Sequence, residues 1–413
     1  MNCRFCKNEL RYEFLDLGSS PPSNSFLSAE ALNLPEVFYP LKLFVCDKCF
    51  LVQVDEYKSS GEIFCEDYVY FSSFSRSWLA HAKAYTDMIV ERLELTSASR
   101  VVEIAANDGY LLQYFQERGI PCSGVEPSMS VAKAAMNKGL KIITEFFGTD
   151  LARRMAAESG KVDLLIGNNV LAHVPDIRDF VKGIHTLLKE DGVATLEFPH
   201  LMRLVAENQF DTIYHEHYSY LSLSTVCAVF KEFGLTVFDV EELTTHGGSI
   251  RIFAGHRDAA NREEFLGVKE LRVREEAAGM KTLGYYRDFQ EKANAVKYGL
   301  LSFLVEQKRV GRLVAGYGAA AKGNTLLNYA GVKRDLLPFV VDASPHKQGK
   351  FMPGSRIPVV HEDEIRKRRP DFILILPWNI REEIEAQLAY VREWGGKFVI
   401  PIPVLKIESG LRS

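Results

Sequence analysis

Long apolar runs are missing from this sequence. Nowhere do about 18 consecutive apolar residues occur, so no transmembrane helix is expected. It also lacks a long basic run, and its formal net charge is −4, which removes the usual footprint of a nucleic-acid binder. The start, MNCRFCKNEL, is polar and carries cysteines where a secretory signal would be apolar, so the expected location is the cytoplasm. Cysteine is scarce. Seven occur in 413 residues, and the odd count argues against a disulfide framework. The length predicts two or three domains. An apolar content of 47% with 25% charged residues is ordinary for a globular chain.

Four of the seven cysteines fall in the first fifty residues. CRFC and CDKC are two C-x-x-C pairs, Cys3 with Cys6 and Cys46 with Cys49, separated by 39 residues. Two such turns brought together make a tetrahedral thiolate site suited to Zn²⁺. Four protein ligands leave no open position, so the zinc is expected to be structural. A redox dithiol is the competing reading. Cys65, Cys122 and Cys227 are expected to be ordinary buried thiols.

From about residue 79 the pattern changes. WLAHAKAYTDMIVERLEL has the apolar spacing of a helix, and RVVEIAANDGYLLQYFQERG reads as strand, turn and helix. PCSGVEPS, KVDLLIGNN, GVATLEFPH, LTVFDVEEL and SIRIFAGH supply further strands. Strands alternating with helices predict a mostly parallel sheet with its site at the strand C-termini. The first strand resembles that of class I S-adenosylmethionine (SAM) methyltransferases. It has an acidic residue, Glu103, and a tight turn closed by Gly109. The first two glycine positions of that turn are Ala105 and Asn107 here; alanine is small and asparagine tolerates left-handed geometry. Glu126, 23 residues after Glu103, ends the next strand, where a carboxylate can hold both ribose hydroxyls of an adenosine. The same logic serves NAD, so these two features alone leave both cofactors open. By the same resemblance Asn168 and Asn169 face the methionyl end.

The most crowded stretch is FDTIYHEHYSYLS, residues 210–222, where histidines 215 and 217 flank Glu216 among three tyrosines. As a strand it would put Tyr214, Glu216 and Tyr218 on one face; a turn would let Glu216 and His217 converge. Taken with the two C-x-x-C pairs, DYVYFSSFSRSW, VVEIAANDGYLL, NNVLAHVPD, THGGSIR and GYGAAAKGNTLLN, it resembles the sugar C-methyltransferase family. The resemblance spans essentially the whole chain. It implies a zinc-binding N-terminal module, a SAM-binding middle domain and a C-terminal Rossmann-like domain. The implied activity is methylation at C-3 of a nucleotide-linked 4-keto-6-deoxy sugar.

That chemistry needs a base beside the carbon and donors beside the ketone. His217 is the candidate base, since histidine titrates near neutrality. Glu216 could orient an imidazole or bind a sugar hydroxyl, Tyr214 could bond the ketone oxygen, and His173 could share either role. Tyr68, preferred over Tyr70 for the family's catalytic tyrosine, would bring the N-terminal module over the site; Tyr70 is a candidate for binding substrate. In THGGSIR, Ser249 or Arg251 might touch substrate, with a plain turn as the alternative.

Residues 262–308 read as one or two helices linking two domains. GRLVAGYGAAAKGNTLLNYAG then repeats the strand, glycine turn and helix. The expected divisions are 1–78, 79–261, 262–308 and 309–413. The second glycine turn could be a dinucleotide site. A phosphate pocket is favoured, because methylation has no redox step and Lys322 supplies charge. Tyr317, Lys322 and Asn324 are the candidates, with His346 and Lys347 in support. The competing functions are a methyltransferase with another acceptor, an NAD-linked oxidoreductase and a zinc adaptor without catalysis. No nucleic acid or membrane partner is expected, and a monomer is.

Overall fold

The computed structural model describes residues 1–63, 71–259 and 263–408; Tyr68 and Tyr70 lie outside them. The chain forms three sheets flanked by helices, an α/β fold. β1 (Tyr12–Ser20), β2 (Tyr39–Val45) and β3 (Val52–Val54) run antiparallel next to the paired cysteines. One face is apolar and buried, with Leu15, Leu41 and Leu43 inside.

The middle domain opens with the helix Arg76–Arg92, capped by Ser75, whose Oγ accepts from the Trp78 N–H. Then come β4 (Val101–Ile104), β5 (Cys122–Val125), β6 (Lys141–Ile143), β7 (Val162–Asn168) and β8 (Leu188–Pro199), alternating with helices. Their apolar runs are buried, as a parallel sheet covered on both faces requires. Ser219–Tyr220 (β9) leaves this domain and joins β3 of the N-terminal sheet. β10 (Leu235–Leu243) and β11 (Ser249–His256) return and complete the order β6-β5-β4-β7-β8-β11-β10, with β11 antiparallel to both neighbours. Between β4 and β7 the winding changes direction, so their C-terminal ends open a crevice.

The third sheet has β12 (Val314–Tyr317), β13 (Val340–Val341), β14 (Val359–Val360), β15 (Phe372–Ile375), β16 (Lys397–Ile400) and β17 (Lys406–Glu408). Its order is β14-β13-β12-β15-β16-β17, parallel but for β17. This is a second doubly wound unit.

The segment expected to link the domains does more than that. Its first helix, Leu266–Ala277, packs Val268 and Leu271 into the core of the middle domain. Its second, Phe289–Arg309, stacks Phe289 on Phe14 of β1 at 4.9 Å and buries Leu300 and Leu304 in a core that includes Leu326 and Val340. The N-terminal sheet and the C-terminal domain therefore share one hydrophobic core. The N-terminal sheet borrows its fourth strand, β9, from the middle domain and its core from the C-terminal one, which is why its boundary is blurred.

Candidate active site

The metal site forms locally. The four sulfurs of Cys3, Cys6, Cys46 and Cys49 lie within 4.8 Å of one another. Each C-x-x-C turn closes with a main-chain bond, Lys7 N–H to Cys3 O at 3.0 Å and Phe50 N–H to Cys46 O at 2.9 Å. Lys7 and Phe50 take positive φ, 63° and 57°, to make those turns. Gln53 Nε2 donates to Cys3 Sγ at 3.3 Å, a contact that favours a thiolate. A tetrahedral zinc at about 2.3 Å from each sulfur needs sulfurs about 3.8 Å apart, so the donor set fits.

The crevice of the middle sheet widens into a cavity of about 990 Å³ that all three domains line. On its cofactor side the turn after β4 holds Ala105 at φ 57° and Asn107 at φ 50°, left-handed for both. The alanine there costs about 1 kcal/mol. Asn107 N–H donates to Glu126 Oε2 at 3.0 Å, and Ser128 N–H donates to Oε1 at 2.9 Å. Glu126 is buried at the end of β5, and burial pushes its pKa up to about 7 against those two donors. Asn169, also left-handed at φ 53°, donates from Nδ2 to His246 Nε2 at 2.9 Å. Ala105, Asn107, Glu126, Asn168 and Asn169 all line the cavity.

Glu103 and Gly109 do not. Glu103 is wholly buried beneath the turn beside Tyr110, and burial drives its pKa well up. Gly109, at φ 76°, serves packing: a Cβ there would meet Leu140 Cδ1 at 2.2 Å.

The crowded segment is a turn, not a strand. A short 3-10 helix, Phe210–Thr212, leads into a turn in which His217 N–H donates to Tyr214 O at 2.9 Å. His217 Nδ1 lies 3.0 Å from Thr212 O. Facing a carbonyl, Nδ1 must carry the proton, which leaves a lone pair on Nε2. The ring lies tilted against Tyr214, centroids 4.1 Å apart, and meets His173 edge-on at 4.5 Å. Burial, with His173 close by, holds its pKa well below the usual histidine value; burial likewise takes His173 to about 4. His217, Tyr214, Glu216 and His173 all line the cavity. The Glu216 carboxylate reaches the N-terminal module, its Oε1 accepting from Asn24 Nδ2 at 2.7 Å, while its main chain bonds the His173 imidazole. His215 turns away, toward Pro40 O at 3.1 Å, and Tyr218 donates to Lys58 O.

Of the C-terminal candidates, Lys322 and Lys347 reach the cavity. Lys322 Nζ donates to Asn379 Oδ1 at 2.6 Å and sits 4.6 Å over the Trp378 ring. Burial lowers its pKa, while Asp211 nearby opposes the shift. Tyr317, expected at the phosphates, lies instead in the domain core with Ile373 and Ile375. Asn324 is fully buried and donates to Ser23 O at 2.6 Å, so it clips the N-terminal module and does not line the cavity. The glycine turn is filled from within, since a Cβ on Gly318 would meet Pro377 Cδ at 2.4 Å. Arg251 is spent on Glu197 and Glu241, and Ser249 donates to Thr245 O. His346 stacks on Phe71 at 5.4 Å rather than lining the cavity.

A family model described as "C-methyltransferase C-terminal domain" matches residues 244–403. One described as "Putative zinc binding domain" matches 3–64, and one described as "Methyltransferase domain" matches 78–240. The chain is 34% identical to the C-methyltransferase NovU of Streptomyces niveus over 412 residues, 99% of this chain and 98% of that protein. The chain belongs to the C-methyltransferase family.

Among solved structures it is similar to an S-adenosylmethionine-dependent methyltransferase of Clostridium acetobutylicum, with 14% identity over 42% of this chain and 90% of that one and a TM-score of 0.35. The PH0226 protein of Pyrococcus horikoshii is similar at 14% identity over 45% and 94%, with a TM-score of 0.38. The C-methyltransferase thus combines a SAM-dependent methyltransferase domain with a four-cysteine zinc module.

Several residues on the cavity wall escaped the sequence reading. Trp78, stacked on His81 at 5.0 Å, walls the cofactor side. His81 pairs with Glu197 at 2.8 Å. Asn24, His246 and Asn379 also line the cavity. Trp78 closes DYVYFSSFSRSW and His246 stands in THGGSIR, so those motifs could have found them, whereas Asn24, His81 and Asn379 arrive through tertiary packing alone.

Proposed function

We propose that this C-methyltransferase adds its methyl group to C-3 of a nucleotide-linked 4-keto-6-deoxy sugar, with His217 as the base. One observation carries the reading. The His217 ring, its Nδ1–H committed to the Thr212 carbonyl, shares a single cavity with Asn107, Glu126 and Asn169.

The ketone at C-4 acidifies the neighbouring C–H. His217 Nε2 takes the C-3 proton, and the C–H electron pair passes into the enolate. Tyr214, in contact with His217, bonds the ketone oxygen and stabilises the charge that develops there. His173, kept neutral by burial, confines the other edge of the base. Bound SAM would supply the methyl, made electrophilic by the sulfonium, the methyl–sulfur bond breaking as the new C–C bond forms and the neutral thioether leaving. Glu126 at the end of β5 is suited to the ribose hydroxyls of an adenosine. Ala320, Ala321 and Lys322 line the cavity where the helix Ala321–Ala330 starts, which suits the substrate's diphosphate. Tyr68 and Tyr70 keep the roles that the family resemblance implies.

The test begins without SAM. Enzyme, D₂O and a panel of 4-keto-6-deoxy sugar nucleotides should give deuterium at C-3, and adding SAM should give a product heavier by one methyl on carbon. Methyl on oxygen or nitrogen, with no exchange, overturns the proposal. Exchange at C-5, which flanks the same ketone, would keep the chemistry and move its position.

A further inference from the structure

Between β1 and β2 the N-terminal module sends out an arm, residues 21–38, that lies along the C-terminal domain. Leu27 and Phe351 exchange two main-chain hydrogen bonds at 2.9 Å each. Gly354 N–H donates to Glu36 Oε1 at 2.6 Å, and Arg356 Nη1 donates to Leu32 O at 3.0 Å. Near the root of the arm Ser23 O receives the Asn324 amide at 2.6 Å. The next residue, Asn24, reaches the cavity and donates from Nδ2 to Glu216 Oε1 at 2.7 Å. The arm is therefore fixed on both sides of the one side chain that enters the site.

Among the described residues that bond engages Glu216 Oε1 and Asn24 Nδ2, which leaves Glu216 Oε2 and Asn24 Oδ1 for a ligand. Both are acceptors. Two adjacent acceptors on a cavity wall match a donor, and on a sugar the available donor is a hydroxyl. We propose that Asn24 and Glu216 form one hydroxyl-binding pair, in which Asn24 positions the carboxylate and the pair selects sugars bearing a hydroxyl next to the reacting carbon. This rests on the reading of the substrate as a sugar nucleotide. It adds the zinc-binding module to the residues that recognise substrate.

Asn24 also favours the ionised form of Glu216, which burial pushes up to about 7. The two histidines nearest the carboxylate, His173 and His217, are both held low by burial and stay neutral through that range.

The experiment compares wild type with Asn24→Ala and Asn24→Asp on a 4-keto-6-deoxy sugar nucleotide and on its analogue lacking the neighbouring hydroxyl. Calorimetric SAM binding checks that each variant is folded. Loss of one such hydrogen bond is expected to raise KM about tenfold for the hydroxylated sugar and little for the deoxy analogue. The acid limb of kcat/KM should move to higher pH in Asn24→Ala, because Glu216 has lost its donor. Asn24→Asp, which cannot donate when ionised, should behave like Asn24→Ala. Equal losses on both sugars, or an unmoved acid limb, would overturn the pair and reduce Asn24 to a structural tether. Wild-type C-3 exchange in D₂O tests the sugar reading separately, so the two failures are distinguishable.

Discussion

The Nδ1 of His217 donates to the carbonyl of Thr212, five residues earlier, across 3.0 Å. That bond fixes the tautomer and the ring plane within one turn, so the base is oriented by its own segment. His217→Ala should cut turnover by about 10³ and abolish deuterium exchange at C-3 in the absence of SAM. His217→Gln should not restore exchange, because an amide is no base. Wild-type exchange in either variant would remove His217 from the reaction.

A second consequence concerns pH. An imidazole held well below its usual value is already neutral through the physiological range, so it contributes no limb near 6.5. Two carboxyls lining the cavity titrate near neutrality, each raised by burial to about 7: Glu126 on the cofactor side and, beside the base, Glu216. Activity that requires its carboxylate should rise through about pH 7, and Glu216→Gln should flatten that limb while lowering the plateau. A pH–rate profile of kcat/KM for both proteins decides this; an unchanged limb in Glu216→Gln assigns it elsewhere.

Lys322 offers a kinetic separation. If its charge holds the diphosphate, Lys322→Met should raise KM for the sugar nucleotide by about 10- to 100-fold, in line with a lost charge-assisted bond. KM for SAM and kcat should change little. A fall in kcat at constant KM would place the lysine at the developing enolate oxygen instead. Its position over Trp378, with Asn379 taking one of its protons, is compatible with a fixed charge in either place.

What could be read in advance was local chemistry. The two C-x-x-C turns, the tolerance of Asn107 for a left-handed turn, the acidic end of β5 and the density at 214–217 are each written in adjacent residues. What could not be read was direction. Asn324 lies two residues after Lys322 on one helix, so it points roughly 200° away, into the protein. Tyr317 sits in a short buried strand, where nothing in the sequence says which side faces the cavity. Asn24 sits in a Pro- and Ser-rich loop and gains a role only because the arm is anchored to the C-terminal domain, some three hundred residues later.

Glu197 ties the cofactor side together. It is wholly buried, and burial raises its pKa. His81 and Arg251, each 2.8 Å away, and Thr245 outweigh that effect and hold it at about 2. A carboxylate depressed in the folded state contributes stability above its unfolded pKa of about 4.3, and that stability is lost as pH falls toward 2. The contribution is on the order of 3 kcal/mol. Glu197→Gln should therefore lower Tm at pH 7 and flatten the decline of Tm between about pH 5 and 3. Arg251→Met, which leaves the carboxylate buried without its main partner, should cost about 3–5 kcal/mol at neutral pH. Parallel Tm–pH curves for Glu197→Gln and wild type would contradict the assignment.

Zinc removal should reach the sugar more than SAM. The four thiolates tie the turn before β1 to the turn between β2 and β3, and that sheet carries the arm bearing Asn24 and shares its core with the C-terminal domain. The cofactor wall belongs to another sheet, built from β4, β5 and β7. Chelation, or Cys46→Ser, should increase hydrogen exchange across β1–β3 and weaken sugar-nucleotide binding by at least about tenfold. SAM affinity measured by calorimetry should fall less than sugar affinity, because the other face of the parallel sheet packs around Phe115, Leu164 and Ile166 with no buried residue of the zinc module, although Cys3, Phe5 and Cys46 belong to the core on its first face. Equal loss of both ligands would mean that the middle domain does not hold its shape without the metal, and the zinc module would then be a support for the whole fold.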